Sequence, residues 1–403
     1  MDKKKGLGLL IEPKTSSNEI CMSTIVKSTA DLPPKASLKE YCSPVVNQGD
    51  RGFCWAFTAA EFKAIQEKME KGRTYQMSPL YCAKIGKSID KLNEDGATSA
   101  TLFKVITETG AIEEQYYPYS LVNEMSGLVF PSIEDGALPH YKCDVPVKLR
   151  TNYDIDKALS MGQPVALGII CVDTIWGVTA DDPFIPMPSN GFVIGGHEII
   201  VVGYDNTLEH VDKLDGKLHK GYYLIKNTWG EEWGDKGYAW LPKDYLTYSV
   251  EMWGDIKLTF FIDAYTALDL NNEEVKENVI TMYIGDKTVV INGKEVEWDV
   301  APVIEKDRTL VPLRGISEVL GYKVDWNDAQ KRITMTKDGV QIIMFIGSNI
   351  VMVNGVTRTW DVAPKIDETS SRTLVPLRPI AELLGYFVIW RDGVKEITLI
   401  KQG

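Results

Sequence analysis

Apolar positions recur with helical spacing over 55–70 and again over 99–110, where Leu102, Val105 and Ile106 fall on one face. The first stretch, with Thr58-Ala59-Ala60-Glu61-Phe62-Lys63-Ala64-Ile65, reads as an amphipathic helix. Further on the pattern changes to apolar runs of strand type, Pro164 to Val172, Ile199 to Gly203, Tyr222 to Lys226 and Gly237 to Leu241. Helices first and strands afterwards predict an α+β domain of two lobes. Residues 1–31 are polar and weakly patterned, an arm or leader rather than a domain.

Near Asn271-Asn272-Glu273-Glu274 the composition shifts and an internal repeat takes over. Ile284-Gly285, Asn292-Gly293 and Trp298-Asp299-Val300-Ala301-Pro302 return 62 residues later as Ile346-Gly347, Asn354-Gly355 and Trp360-Asp361-Val362-Ala363-Pro364. Arg308-Thr309-Leu310-Val311-Pro312-Leu313-Arg314 returns as Arg372-Thr373-Leu374-Val375-Pro376-Leu377-Arg378, now offset by 64. Leu320-Gly321-Tyr322 and Trp326 keep that offset at Leu384-Gly385-Tyr386 and Trp390, so two residues are inserted near Glu368. Each copy reads as a hairpin with Gly-Asp or Asn-Gly turns, a short helix (Ile316 to Leu320, Ile380 to Leu384) and a second hairpin. One copy has little apolar surface to enclose, so the two are expected to share a core. The expected organisation is a leader at 1–31, a two-lobed domain at 32–265 and a repeat domain at 266–403, with copies at about 275–336 and 337–402.

A chain of 403 residues calls for two or three domains. Its net charge of -12 argues against nucleic acid and anionic membrane as partners. No apolar run approaches the roughly 18 residues of a transmembrane span. Behind Lys3-Lys4-Lys5, the apolar stretch Leu7 to Ile11 is interrupted by Gly8 and falls short of the about 7–15 residues of a secretory signal. The six cysteines (Cys21, Cys42, Cys54, Cys82, Cys143, Cys171) form no CxxC pair, which argues against zinc and for mostly free thiols.

One of them stands apart. Cys54 follows the Gly-containing segment Asn47-Gln48-Gly49-Asp50-Arg51-Gly52-Phe53 and opens the first helix, where the macrodipole favours a thiolate. A cysteine nucleophile needs a base. Of four histidines, His197 stands at the mouth of an apolar strand behind Gly195-Gly196, whereas His210 and His219 lie in a charged, hairpin-like segment expected to be solvated and His140 lies in a loop. The residue four after His197 is Val201, so no zinc-binding His pair exists there. Asn227, in Lys226-Asn227-Thr228-Trp229-Gly230, can accept a hydrogen bond from the second imidazole nitrogen, with Trp229 and Trp233 covering it.

This order and spacing resemble the papain-like cysteine peptidases over about 32–260, through Asn47-Gln48-Gly49, Cys54-Trp55-Ala56-Phe57, Gly195-Gly196-His197 with Val202-Gly203-Tyr204, and Asn227-Thr228-Trp229-Gly230. The resemblance implies a helical lobe facing an antiparallel β lobe. It also implies cofactor-free hydrolysis of protein or peptide substrates, as an endopeptidase, through a thioester. Residue by residue it makes Cys54 the nucleophile, His197 the base and later acid, Asn227 its orienting group and Gln48 an oxyanion-hole donor. Gly96 (in Asp95-Gly96), Trp229 and Glu198 would border substrate, Glu198 favouring a basic or polar P2 residue. Tyr117-Pro118-Tyr119 also fits the family. Arg51 stands where the family usually has a disulfide-bonded cysteine. The leader is too short for the usual helical propeptide, which suggests a short inhibitory segment lying in the cleft, with Cys21 as a reversible disulfide latch on Cys54. The repeated RTLVPLR and LGY motifs with the tryptophan that follows resemble the copper amine oxidase N-terminal-like, or stalk, domain over about 275–402. A targeting or spacer module is implied, binding a cell-surface or protein partner. The region has no histidine, so no copper is expected. The alternative is a surface adhesion protein with a vestigial peptidase domain. Stalk-like repeats favour a secreted or surface location, while the missing signal and missing disulfide fit the cytoplasm.

Overall fold

The computed structural model describes residues 6–11, 32–189, 191–251, 257–268, 279–305, 307–391 and 394–401; Cys21 and its latch lie outside them. The chain divides into two compact units, one ending at Asp269 and one beginning at Leu270.

In the first unit, α1 (Cys54–Lys71), α2 (Pro79–Asp90), α3 (Ser99–Lys104) and α4 (Asn152–Ser160) start and stop on recognisable signals. Ser78 caps α2 through Tyr81 N–H ahead of Pro79, and Thr98 caps α3 through Thr101 N–H. Thr151 and Asp154 form a capping box on α4, and Gly72 ends α1 at φ 72°. The sequence reads α1 as amphipathic, yet it is buried from Cys54 to Glu67 on every side. It packs on α2 and α3 and also on the sheet, so its polar residues need internal partners. Lys63 pairs with Glu67 at 2.8 Å, and Glu61 pairs with Lys226 at 2.7 Å. Breaking such a buried pair from one side costs about 3–5 kcal/mol.

The strands are β1 (Lys35–Ser37), β2 (Val145–Lys148), β3 (Val165–Val172), β4 (Val193–Val211), β5 (Leu218–Lys226), β6 (Tyr238–Pro242), the short pair β7 (Ser249–Glu251) and β8 (Lys257–Thr259), and β9 (Phe261–Leu268). Seven of them form one antiparallel sheet in the order β2-β9-β3-β4-β5-β6, with β1 on β4. β3 is buried along its whole length, as its near-continuous apolar run requires. Register places His197 opposite Ile169, and Ile200 opposite Lys226. The residue after Lys226 therefore leaves the sheet on the His197 side.

The second unit holds β10 (Val279–Tyr283), β11 (Thr288–Ile291), β12 (Lys294–Glu297), β13 (Val303–Glu305), β14 (Arg308–Pro312), α5 (Leu313–Val319), β15 (Lys323–Asn327), β16 (Arg332–Lys337), β17 (Val340–Phe345), β18 (Ile350–Val353), β19 (Val356–Thr359), β20 (Lys365–Asp367), β21 (Arg372–Pro376), α6 (Leu377–Leu383), β22 (Tyr386–Arg391) and β23 (Glu396–Lys401). Both helices start three residues earlier than the sequence pattern predicts, because Pro312 and Pro376 end the strands and sit at the helix N-caps. The copies interlock. One five-stranded sheet runs β12-β11-β10-β23-β22 and another β15-β16-β17-β18-β19, each drawing strands from both copies. β14 meets β21 about Val311↔Val375, and Arg308 bonds Asp361 as Arg372 bonds Asp299. A single core joins Met282, Val311, Ile316, Met344, Val375 and Ile380.

Candidate active site

The loop before α1 is laced to the loop after β5. Gln48 N–H donates to Thr228 O at 2.8 Å, Gly230 N–H donates to Val46 O at 3.1 Å, and Asn47 bridges to Trp229. Gly49, at φ 66°, turns the chain so that Cys54 becomes the first residue of α1. Gln48 is buried beside this turn, its Oε1 accepting the Thr228 hydroxyl and its Nε2 donating to Arg51 O at 2.8 Å.

His197 and Asn227 are brought together by the β4–β5 register. The imidazole Nε2 lies 2.9 Å from Asn227 Oδ1, which also accepts Thr228 N–H at 2.8 Å. Trp229 stacks on the imidazole at 4.5 Å and 17°, and Trp233 meets Trp229 edge-on at 5.5 Å. The imidazole and the amide of the His–Asn pair are thereby kept from water, with His197 and Asn227 no more than 1% exposed. His197 Nδ1 is buried and has no hydrogen-bond partner. It is the nitrogen left available for a thiol.

Burial dominates the electrostatics. It pushes the Cys54 thiol up to about 12, against backbone hydrogen bonds from Glu198, Gly8 and Trp55 that favour the thiolate. It pulls His197 down to about 4, with only the Asn227 bond opposing. In this arrangement both groups are neutral at pH 7.

Part of the cover comes from residues 6–11. Gln48 Nε2 donates to Gly6 O at 3.0 Å, Leu9 N–H to Gly196 O at 3.1 Å, and Leu10 N–H to Ala97 O at 2.9 Å, while Ala97 N–H donates to Gly8 O at 2.9 Å. The segment runs parallel to the chain at Ala97. A Cβ on Gly6 would lie 2.0 Å from Arg51 O, and one on Gly8 would lie 1.8 Å from Gly52 O, so both positions require glycine. Gly96, expected to border substrate, does line this path, but the backbone bonds come from its neighbour Ala97.

Leu9 is buried in a pocket beside Gly168, Gly196 and Ile262. The Cβ position of Gly168 lies 2.6 Å from both Leu9 Cδ2 and Asp263 Oδ1, so the leucine methyl neighbours a carboxylate. Glu198 does not reach solvent but is fully buried. Ser99 Oγ lies 2.8 Å from Glu198 Oε2 and 2.8 Å from Asp263 Oδ1, and its one proton can go to only one of them.

The profile described as "Papain family cysteine protease" matches residues 32–252, more than half of the chain. The chain belongs to the papain family of cysteine proteases. A second profile, "Copper amine oxidase N-terminal domain", matches residues 290–399, within the repeats. Among characterised relatives, mouse cathepsin K is 26% identical over 211 residues, 51% of this chain and 58% of its own length. Cathepsin B-like CP3 of Giardia intestinalis is 29% identical over 218 residues, 49% of this chain and 64% of its own. The chain thus spans about three fifths of these relatives. In fold it resembles xylellain, a cysteine protease from Xylella fastidiosa, with a TM-score of 0.51 at 22% identity over 66% of this chain and 96% of that one.

Where the papain family usually carries a bridged cysteine, Arg51 makes an ion pair instead. Its Nε and Nη2 reach the two Asp95 oxygens at 2.7 and 2.5 Å, and Nη2 also reaches Gly127 O at 3.0 Å. Asp95 additionally accepts Gly52 N–H at 3.1 Å, and its carbonyl accepts Trp55 Nε1 at 2.9 Å. A guanidinium–carboxylate fork thus ties the 95–97 segment to the loop before Cys54. The five cysteines among the described residues are all free thiols.

The histidines outside the site need one correction. His219 is not solvated: it is buried, with Nδ1 2.8 Å from Asp244 and Nε2 3.1 Å from Asp215. Burial opposes its charge, but the two carboxylates outweigh it and raise its pKa. His210 is half-covered, stacked on Phe184 at 3.9 Å. Sequence reading missed Thr228 as a partner of Gln48, and it missed Ser99 and Asp263 altogether.

Proposed function

We propose that this chain is a cysteine endopeptidase in which Cys54 attacks the peptide carbonyl, His197 carries the proton, Asn227 holds the imidazole and Gln48 receives the oxyanion. The observation that carries this is the Trp229-covered bond between His197 Nε2 and Asn227 Oδ1, which leaves Nδ1 free beside the helix that begins at Cys54. With its ring fixed at one nitrogen, the imidazole keeps the other aimed at a proton donor. Proton transfer from thiol to Nδ1 creates the nucleophile. The same proton then goes to the leaving amine, and water resolves the thioester. Hydrolysis of fluorogenic peptides by the wild type, its loss in Cys54→Ala, and labelling of Cys54 by an epoxysuccinyl probe test the reading. An activated wild type that neither cleaves nor labels overturns it.

The leader is assigned as an inhibitory segment. Gly6 O holds the Gln48 donor, and Leu9 fills the pocket beside Asp263, whose carboxylate shares Ser99 Oγ with Glu198. The same two carboxylates support a preference for a basic P2 side chain over an apolar one of equal length. The repeat unit, which has neither histidine nor cysteine, is assigned to binding or positioning.

A further inference from the structure

We propose that Tyr119 is a positioning residue of the oxyanion hole, acting through Gln48 without touching substrate. The inference rests on the role given to Gln48 above. For its Nε2 to point at a developing oxyanion, the rest of the residue must be held. Thr228 holds two atoms, accepting Gln48 N–H at 2.8 Å and donating its hydroxyl to Oε1. The third is the Gln48 carbonyl, which accepts the Tyr119 hydroxyl at 2.7 Å.

That third bond falls beside a glycine turn, on a peptide whose N–H is held from within the turn, donating to Asn47 Oδ1 at 2.9 Å. The Gln48 carbonyl belongs to the peptide that joins it to Gly49. Gly49 sits at φ 66° and has nothing within 4 Å of where a Cβ would be. A peptide flanked by such a glycine meets little steric resistance to rotation. Rotation would displace the segment leading to Arg51, whose carbonyl is another partner of Gln48 Nε2. The Tyr119 hydroxyl opposes it.

Tyr119 is itself well anchored. Its ring meets Phe57 edge-on at 4.6 Å and 75°, and its N–H donates to Glu114 Oε1 at 2.6 Å. Phe57 lies on α1, three residues after Cys54. The tyrosine therefore references the glutamine to the helix that carries the nucleophile, a link Thr228 does not make.

The test uses Tyr119→Phe, which keeps the ring on Phe57 and removes only the hydroxyl. Wild type, Tyr119→Phe, Gln48→Ala and the double variant are made as full chains and activated identically. Three quantities are read: kcat and KM on a fluorogenic peptide, affinity for a peptide aldehyde whose adduct places an oxyanion in the hole, and alkylation rate by iodoacetamide, which needs only the thiolate. Removing an oxyanion donor lowers kcat about 100- to 1000-fold. Tyr119→Phe is expected to lower kcat and aldehyde affinity together by about tenfold, the effect of one well-placed hydrogen bond, with KM and alkylation unchanged. The double variant should be no worse than Gln48→Ala. Unchanged kcat in Tyr119→Phe overturns the inference. So does a parallel loss of alkylation, which would mean that the hydroxyl supports the thiol or the fold. If Gln48→Ala itself keeps full kcat, it is the oxyanion role of Gln48 that fails.

Discussion

The carbonyl oxygen of Gly6 accepts a hydrogen bond from Gln48 Nε2 at 3.0 Å. A backbone carbonyl of the arm thus occupies the donor assigned to a substrate's oxyanion. Gly6 N–H donates to Gly49 O at 3.2 Å, so the contact is made on both sides of the nucleophile turn. Because the segment runs parallel to the chain at Ala97, its bonds hold it there through Gly8 O and Leu10 N–H, on either side of Leu9.

Gly8→Val should release this segment. The added Cβ would overlap Gly52 O, and more than about 1.4 kcal/mol of lost binding is a tenfold shift. The full-length variant is expected to cleave a fluorogenic peptide at least about tenfold faster than unprocessed wild type, with the same rate once both are activated. Equal latency in the two proteins would remove residues 6–11 from the inhibitory role.

Acid should loosen the same contact. The folded His197 has its pKa lowered to about 4 from the ordinary 6.5, mainly by burial. A depressed histidine stabilises the closed form above 6.5 and withdraws that stability as pH falls toward 4, because the open form binds the proton first. Hydrogen exchange at Leu9 and Leu10, corrected for intrinsic rate, should therefore show less protection at pH 4.5 than at pH 7. Cys54, raised to about 12, acts at the other end: its contribution is full below 9 and is lost as pH climbs through 12.

The Arg51–Asp95 fork should support substrate binding more than folding. Its side chains are about a quarter exposed, so Arg51→Ala is expected to cost about 1 kcal/mol or less in stability. The 95–97 segment would lose its tie to Gly52 and Trp55, and KM should rise by about threefold to tenfold. Reductant should leave wild-type melting unchanged, since the ion pair replaces a bridge. A Tm that drops with dithiothreitol would contradict this.

Specificity should follow Asp263, beside Leu9, and Glu198, which shares Ser99 with it. Asp263→Asn and Glu198→Gln are each expected to lower kcat/KM for a P2-arginine peptide by about tenfold while changing a P2-leucine peptide less than about threefold. Parallel changes on both substrates would place these residues in the fold rather than in recognition.

Asn227→Ala should leave the imidazole free to turn. With Trp229 still stacked on the ring, kcat is expected to fall by about 10- to 100-fold with KM nearly unchanged. Steady-state kinetics decide the matter, and a larger change in KM than in kcat would argue for a substrate contact instead.

Much of the site was legible before folding. Cys54, His197, Asn227 and Gln48 each sit in a local string that betrays its setting: a turn glycine before a helix, a glycine pair beside an apolar run (which the structure places within β4 rather than ahead of it), a tryptophan after a strand end. The duplicated Arg-Thr-Leu-Val-Pro-Leu-Arg marked the second unit in the same way, although the prolines moved its helices by three residues. The buried state of α1 was not legible, because periodicity shows one packed face and the two lobes supply the other.

By itself the sequence determined the candidate residues of the site, the duplication and the turn glycine at 49, since each is a local demand of backbone or chemistry, whereas glycine at 6 and 8 is required by the distant carbonyls of Arg51 and Gly52. The tertiary structure alone decided which distant side chains share a proton or a pocket. Ser99 meets Glu198 across 99 residues and Asp263 across 164, and Tyr119 meets Gln48 across 71. Nothing in a stretch of neighbouring residues encodes such pairs. They arise when strand register and the packing of α1 against the sheet bring separate segments into hydrogen-bond range, where burial makes an unmatched polar group too costly to leave alone.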